Sequence, residues 1–211
     1  MKKLLAIFLC LLMCIVFSGC NNTEKKNDEA KAAFQEVLEN KRLFSYKCLV
    51  FDKITEENLE KFNFKTEYSA LNSFIPQMYA YLDFDQDGVE ELLIVDAMLS
   101  YFLVLRYDGE KVIGYISDDN VDLQNVKTDG TFLTVSYIFD DNHKIIGKNY
   151  FVCGFEFDGL DHKMKMLVSQ NDEEGVYKIG KQSATKDEVE AHINNWKNST
   201  TQIEWNKINL E

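Results

Sequence analysis

Apolar positions come in three rhythms along the chain. Leu4 to Phe17 is an unbroken apolar run of 14 residues. From Asp28 the spacing changes: Ala30, Ala33, Phe34, Val37 and Leu38 recur at three and four residues. That predicts an amphipathic helix with Asp28 as its N-cap. A second short helix is expected from Thr55, with Leu59 and Phe62 facing inward, and residues 41–75 otherwise show no clear period. From Tyr79 the pattern alternates as a strand does. Segments 79–84 and 91–96 flank an acidic loop, and 101–107 and 111–116 are separated by Asp108-Gly109. Asp-Gly is a hairpin signal because both turn positions favour positive φ. Asp129-Gly130 and Asp158-Gly159 repeat the device between the runs 132–139, 145–157 and 164–169. Thr185-Lys186-Asp187-Glu188 then reads as a capping box, followed by Val189, Ile193 and Trp196 on one helical face. Residues 201–208 are expected to form a closing strand. These elements predict an α+β fold: an antiparallel β-meander sheet with an N-terminal and a C-terminal helix packed on it, in one domain over residues 28–211.

The first apolar run has a different meaning. Lys2-Lys3 precedes it and Ser18-Gly19-Cys20 follows it. A positive start, a short apolar stretch and small residues at the end describe an export signal over residues 1–19. Spanning a bilayer takes about 20 apolar residues, so a run of 14 is too short for a transmembrane helix. The ending Phe17-Ser18-Gly19-Cys20 resembles the lipobox of bacterial lipoproteins, with Phe17 in place of the usual Leu or Val. The resemblance implies cleavage before Cys20 and a diacylglyceryl group on its thiol, with residues 20–27 as a polar, lipidated tether. Each buried methylene contributes about 0.8 kcal/mol and stable anchoring takes more than one chain, which a diacylated, palmitate-bearing cysteine meets.

Composition sharpens this placement. With 45% hydrophobic residues, 13% aromatics and one proline, the chain belongs to no disordered or fibrous class. The formal net charge is -12, and loss of Lys2 and Lys3 makes the mature chain two units more acidic. Such a surface repels nucleic-acid phosphates, so no nucleic-acid partner is expected, while divalent cations and basic partners are attracted. Cys10 and Cys14 leave with the signal, and Cys48 and Cys153 stay. Outside the cytoplasm a disulfide between them is allowed; two small buried side chains fit the same positions.

One loop carries chemistry. Asp83, Asp85 and Asp87 stand at alternate positions, Gly88 follows at position 6, Val89 offers a carbonyl at position 7, and Glu91 is an acid at position 9. Carboxylates spaced this way converge on one hard cation when the chain curls around it, and calcium suits such oxygen ligands. Magnesium is the lesser rival because it keeps its waters and rigid octahedral geometry. Position 12, a bidentate glutamate in an EF-hand, is Ile94 here, and the flanks are strands where an EF-hand has helices. The stretch Tyr79 to Asp96 thus resembles the strand–loop–strand calcium loops of FG-GAP-type repeats. It is also similar to a motif in surface lipoproteins of low-GC Gram-positive bacteria. The bland alternative is an acidic turn without a metal.

His143, His162 and His192 share no metal-ligand spacing, and Ser100, Ser117 and Ser136 lie in no Gly-x-Ser-x-Gly context. The sequence therefore points to a lipoprotein held on the extracytoplasmic face of the cell membrane through Cys20. The domain is expected to be a non-catalytic binding or interaction module for a protein, peptide or glycan, stabilised by calcium at Asp83, Asp85, Asp87, Val89 and Glu91. The alternatives are a cell-envelope hydrolase with scattered acidic residues and an accessory structural lipoprotein of a larger complex. A deep pocket holding acids of perturbed pKa would favour the hydrolase.

Overall fold

A computed structural model of the chain describes residues 22–48, 61–62, 64, 75–96, 102–117, 121–158, 161–199 and 203–208. The signal segment, Cys20 and residues 55–60 of the helix expected from Thr55 lie outside the described residues, while Phe62, expected on that helix, lies in a strand paired with Phe44. Helix α1 spans residues 22–38. The strands are β1 (Phe44–Cys48), β2 (Lys61–Phe62), β3 (Pro76–Leu82), β4 (Glu91–Asp96), β5 (Phe102–Tyr107), β6 (Val112–Ile116), β7 (Val121–Val126), β8 (Phe132–Phe139), β9 (Ile145–Asp158), β10 (Asp161–Asn171), β11 (Val176–Ile179) and β12 (Gln182–Ser183). Helix α2 (Lys186–Asn198) and β13 (Asn206–Lys207) follow. Among the described residues no helix is long and apolar enough to cross a membrane.

The α+β class holds, with a helix at each end, but the strands form two sheets instead of one. Sheet A has the order β13-β3-β4-β5-β6-β1-β2, and sheet B the order β12-β11-β10-β9-β8-β7. The reason lies in β4 and β5. Leu92 to Val95 and Phe102 to Leu105 are buried at every position, so sheet A has two apolar faces and each needs a cover. Ala30, Ala33, Phe34, Val37 and Leu38 of α1 cover one face, against Leu92, Ile94, Leu103 and Leu105. Sheet B covers the other, where Leu93, Val95, Phe102 and Val104 meet Leu123, Phe132, Cys153 and Phe155. Helix α2 closes the outer side of sheet B through Val189 and Ile193 on Leu133, Val152 and Val168. The layers are thus α1, sheet A, sheet B and α2. Full burial of a side chain such as Phe34 contributes about 1.5–3 kcal/mol.

Local chemistry sets several boundaries. The capping box forms: the Thr185 hydroxyl accepts from Glu188 N–H while the Glu188 carboxylate accepts from Thr185 N–H at 2.7 Å. The pairs β5–β6 and β7–β8 are antiparallel hairpins at Asp108-Gly109 and Asp129-Gly130, and β9 pairs antiparallel with β10 from Asp158 and Asp161, with Gly159 outside the described residues. Three expectations change. Strand β1 pairs parallel with β6, a long-range contact with no local signature. The closing strand shrinks to the two residues of β13, paired with β3. The helix already includes residues 22–27, which were expected as tether ahead of Asp28. Their polar side chains find partners in the acidic loop, described next.

A carboxylate loop closed by an arginine

The loop between β3 and β4 begins where the ladder ends, at the pair Leu82↔Glu91. Its backbone is turned by Gln86 (φ 60°) and Gly88 (φ 88°). Asp83 organises it: its two carboxylate oxygens accept from Asp87 N–H at 3.1 Å and Gly88 N–H at 2.9 Å. Asp87 in turn accepts from Val89 N–H at 2.8 Å. An added Cβ on Gly88 would lie 2.7 Å from Thr23 Cγ2 of α1, so glycine is required there for both conformation and space.

Glu91 shares its strand face with Leu93 and Val95, the face pressed between the two sheets. Its side chain is 2% exposed, and one carboxylate oxygen accepts from Phe84 N–H at 3.0 Å. Asp83, Asp85 and Glu91 each bring a carboxylate oxygen within 4.8 Å of the other two. Asp85 Oδ1 is buried and accepts no hydrogen bond. Of the five ligands expected from sequence, the structure therefore converges three. Asp87 stands apart, its carboxylate shared between Val89 N–H and a guanidinium. Val89 is seen through its N–H on Asp87 and its side chain packed toward α1.

The guanidinium belongs to Arg106 on β5, a residue outside the ligand set expected from sequence. Its nitrogens lie 3.2 Å from Asp85, 3.5 Å from Asp87 and 4.0 Å from Glu91. One step beyond the pair Leu92↔Leu105, the same register sets Arg106 opposite Glu91, a cross-strand ion pair. The available clue was scarcity: Arg42 and Arg106 are the only arginines in a lysine-rich chain. A planar, delocalised cation can bridge several carboxylates where an ammonium cannot. Even with Arg106 present the cluster is over-charged. Burial raises the Asp85 carboxyl against the downward pull of Arg106. Burial also pushes the Glu91 carboxyl up to about 8, despite the Phe84 N–H and Arg106 acting the other way. A divalent cation among these oxygens would lower both.

The donor set fits a hard cation: three carboxylates within reach of one point, one buried oxygen with no donor, and net negative charge beyond what Arg106 offsets. Asp83, Asp85 and Glu91 would hold it. Bound there, such a cation would supply structural charge neutralisation.

Two elements brace the loop. Asn27 of α1 donates to the Glu90 carboxylate at 3.3 Å and accepts from Glu90 N–H at 3.0 Å, and Lys31 pairs with the same carboxylate. Gln86 donates to Asp129 O at 3.1 Å in the β7–β8 turn. An added Cβ on Gly130 of that turn would meet Phe84 O at 2.5 Å. The turn is itself tied to α2: Lys127 donates to Ser199 O and lies over the Trp196 ring, and Trp196 Nε1 donates to Thr131 at 2.9 Å. Beside the loop, a cleft of about 390 Å³ is walled by Lys26, Glu29, Glu90, Arg106 and Tyr107 among others, within the size range of ligand pockets.

The other candidates stay apart from this site. His143 lies in the β8–β9 turn at φ 59°, and His192 is exposed on α2. Ser117 is buried and accepts from Phe102 N–H. Cys153 is a free, buried thiol that burial pushes up to about 12, so of the two sequence alternatives the apolar one describes it. Compared with known protein families, curated proteins and solved structures, the chain gives no match.

Proposed function

We propose that this protein is an extracytoplasmic binding module, held at the cell membrane by lipid on Cys20 and stiffened by calcium in the Asp83–Glu91 loop. The observation that carries the calcium reading is the convergence of Asp83, Asp85 and Glu91 from a loop and a strand onto one point. A turn needs Asp83 and Gly88 for its own geometry; it has no need of Glu91, buried between two sheets. The lipobox-like Phe17-Ser18-Gly19-Cys20 supports the anchor. The adjacent cleft supports a binding role for a peptide, protein or glycan.

Calorimetry in chelator and then in millimolar calcium tests the ion. Extracellular calcium modules bind at about 10⁻⁴ to 10⁻³ M. Tenfold excess over Kd would stabilise the folded state by about 1.4 kcal/mol, a melting shift of roughly 3–6 °C for a domain of this size. Asp85→Ala should abolish it. Identical melting of the wild type in both conditions refutes the calcium reading. Fatty-acid labelling of wild type and Cys20→Ser tests the anchor, and an unlabelled wild type refutes it.

A second reading, an envelope hydrolase, is favoured by one observation: an acid raised to about 8 beside a cleft, since a general acid works best near the operating pH. Against it, Glu91 borders the cleft but is only 2% exposed, with one carboxylate oxygen held by Phe84 N–H and the Arg106 guanidinium beside it. Turnover of envelope glycans or peptides that Glu91→Gln removes would favour this second reading.

A further inference from the structure

A lipid anchor followed by seven flexible polar residues would leave the domain free to tumble. A flexible tether of that length averages roughly 15 Å end to end and carries no orientation. The fold removes that freedom. Helix α1 already includes residue 22, two positions after Cys20, and two residues span at most about 7 Å. From there the chain is part of the rigid layer structure: Ala30, Ala33, Phe34, Val37 and Leu38 are buried against sheet A. The first turns of the helix are tied down as well, by Thr23 against Gly88 and by Asn27 and Lys31 on Glu90.

We infer that the face formed by the first turns of α1, the Asp83–Glu91 loop and the β7–β8 turn is the side of the domain that lies against the bilayer surface. The inference rests on lipid at Cys20. With that cysteine in the interface, Asn22 is within about 7 Å of it, and Thr23 already touches the loop at Gly88. The β7–β8 turn follows through Gln86 and Asp129. Charge on this face is divided. Lys25, paired with Glu29, and Lys26 are exposed on the helix and suit lipid phosphates, while the exposed Glu24, Asp87 and Asp129 are repelled by anionic headgroups. A divalent cation in the loop would relieve part of that repulsion and draw the face closer. The cleft walled by Lys26, Glu90 and Tyr107 belongs to the same side, so a ligand entering it would do so beside the membrane.

The lipidated mature chain, reconstituted in vesicles of phosphatidylglycerol and phosphatidylcholine with a photo-crosslinking headgroup, tests this by mass-spectrometric mapping of adducts. Adducts should concentrate on residues 22–27, 84–88 and 127–131 and spare the exposed Ile145 and Ile146. Inserting about ten Gly/Ser residues after Asn21 gives a spacer of roughly 15–20 Å; the ratio of loop to hairpin adducts should then fall by about an order of magnitude. Intact mass separates the two failures. A chain without diacylglyceryl overturns the anchor and the orientation together. A lipidated chain whose adducts are spread evenly, or gather on the Ile145 hairpin, overturns the orientation alone.

Discussion

Two acidic turns of this molecule begin alike and end differently. In the β8–β9 turn, Asp140 accepts from Asn142 N–H and Lys144 N–H at 2.9 Å each, and His143 takes the positive φ. In the β3–β4 loop, Asp83 accepts from Asp87 and Gly88 N–H groups, and Gly88 takes the positive φ. The local chemistry is the same: an aspartate satisfies the amides of its own turn. Around Asp140 the chain runs straight into solvent, with Phe139, Ile145 and Ile146 exposed. Around Asp83, a buried strand adds Glu91, the neighbouring strand adds Arg106 and α1 adds Asn27 and Lys31. A site is made by what tertiary structure brings to a turn, and the turn alone is not one.

The largest expected effect separates the two at once. Arg106→Met leaves Asp85, Asp87 and Glu91 without their shared cation. Stranding a charge in this way costs several kcal/mol in a fully buried pair; at partial exposure about 2–4 kcal/mol is expected, a melting decrease of roughly 5–15 °C by calorimetry. Asp140→Asn in the other turn should stay within about 0.5 kcal/mol. Equal losses would show that the loop owes nothing to its tertiary partners. Next comes Glu91→Gln, which keeps the acceptor for Phe84 N–H and replaces a buried ionisable carboxyl by a neutral amide. It should melt in chelator no lower than wild type, and its calcium-induced rise of roughly 3–6 °C should vanish. A retained rise would remove Glu91 from the ligand set.

A smaller effect is expected from the helix. Asn27→Ala loses both contacts with Glu90 and should cost about 1–2 kcal/mol, with faster hydrogen exchange at the Glu90 amide. A chain beginning at Asp28 should lose a similar amount and still unfold in one transition, since the buried stripe from Ala30 to Leu38 remains. The smallest signal concerns the floor of the loop, where Phe84 packs edge-on against Phe132 and Phe155 in the cluster that contains Cys153. With its thiol pushed up to about 12, Cys153 should resist iodoacetamide at pH 8.5 in the native chain and react once unfolded. Its peptide, read by mass spectrometry, should begin to label natively in Arg106→Met. Rapid labelling in the wild type would mean the floor opens by itself.

What the sequence made legible was local. The Asp108-Gly109 and Asp129-Gly130 turns, the Thr185–Glu188 box and the helical stripe from Ala30 to Leu38 depend on residues a few positions apart, and all three kinds of element appear where expected. The acidic loop was legible for the same reason. Its partners were not. Nothing near Glu91 names Arg106, because their pairing depends on the register between β4 and β5. Residues 22–27 lack apolar periodicity, so their helical state draws on the Thr23 methyl against Gly88 and the hydrogen bonds of Asn27 with Glu90, which only the folded chain supplies. The second sheet followed from the double burial of β4 and β5, whose near-continuous apolar runs could be read as strands but not assigned a cover.

The parallel pairing of β1 with β6 has a kinetic consequence. Tyr46 must find Gly114, and at the far edge Asn206 must find Tyr79. Closing such long loops is entropically costly before any contact is gained, and folds dominated by such pairings form in milliseconds to seconds rather than microseconds. A chain emerging from its N-terminus completes β1 well before β6 exists to receive it. Until then β1 presents an unpaired edge, the kind of surface on which nascent chains aggregate or recruit chaperones.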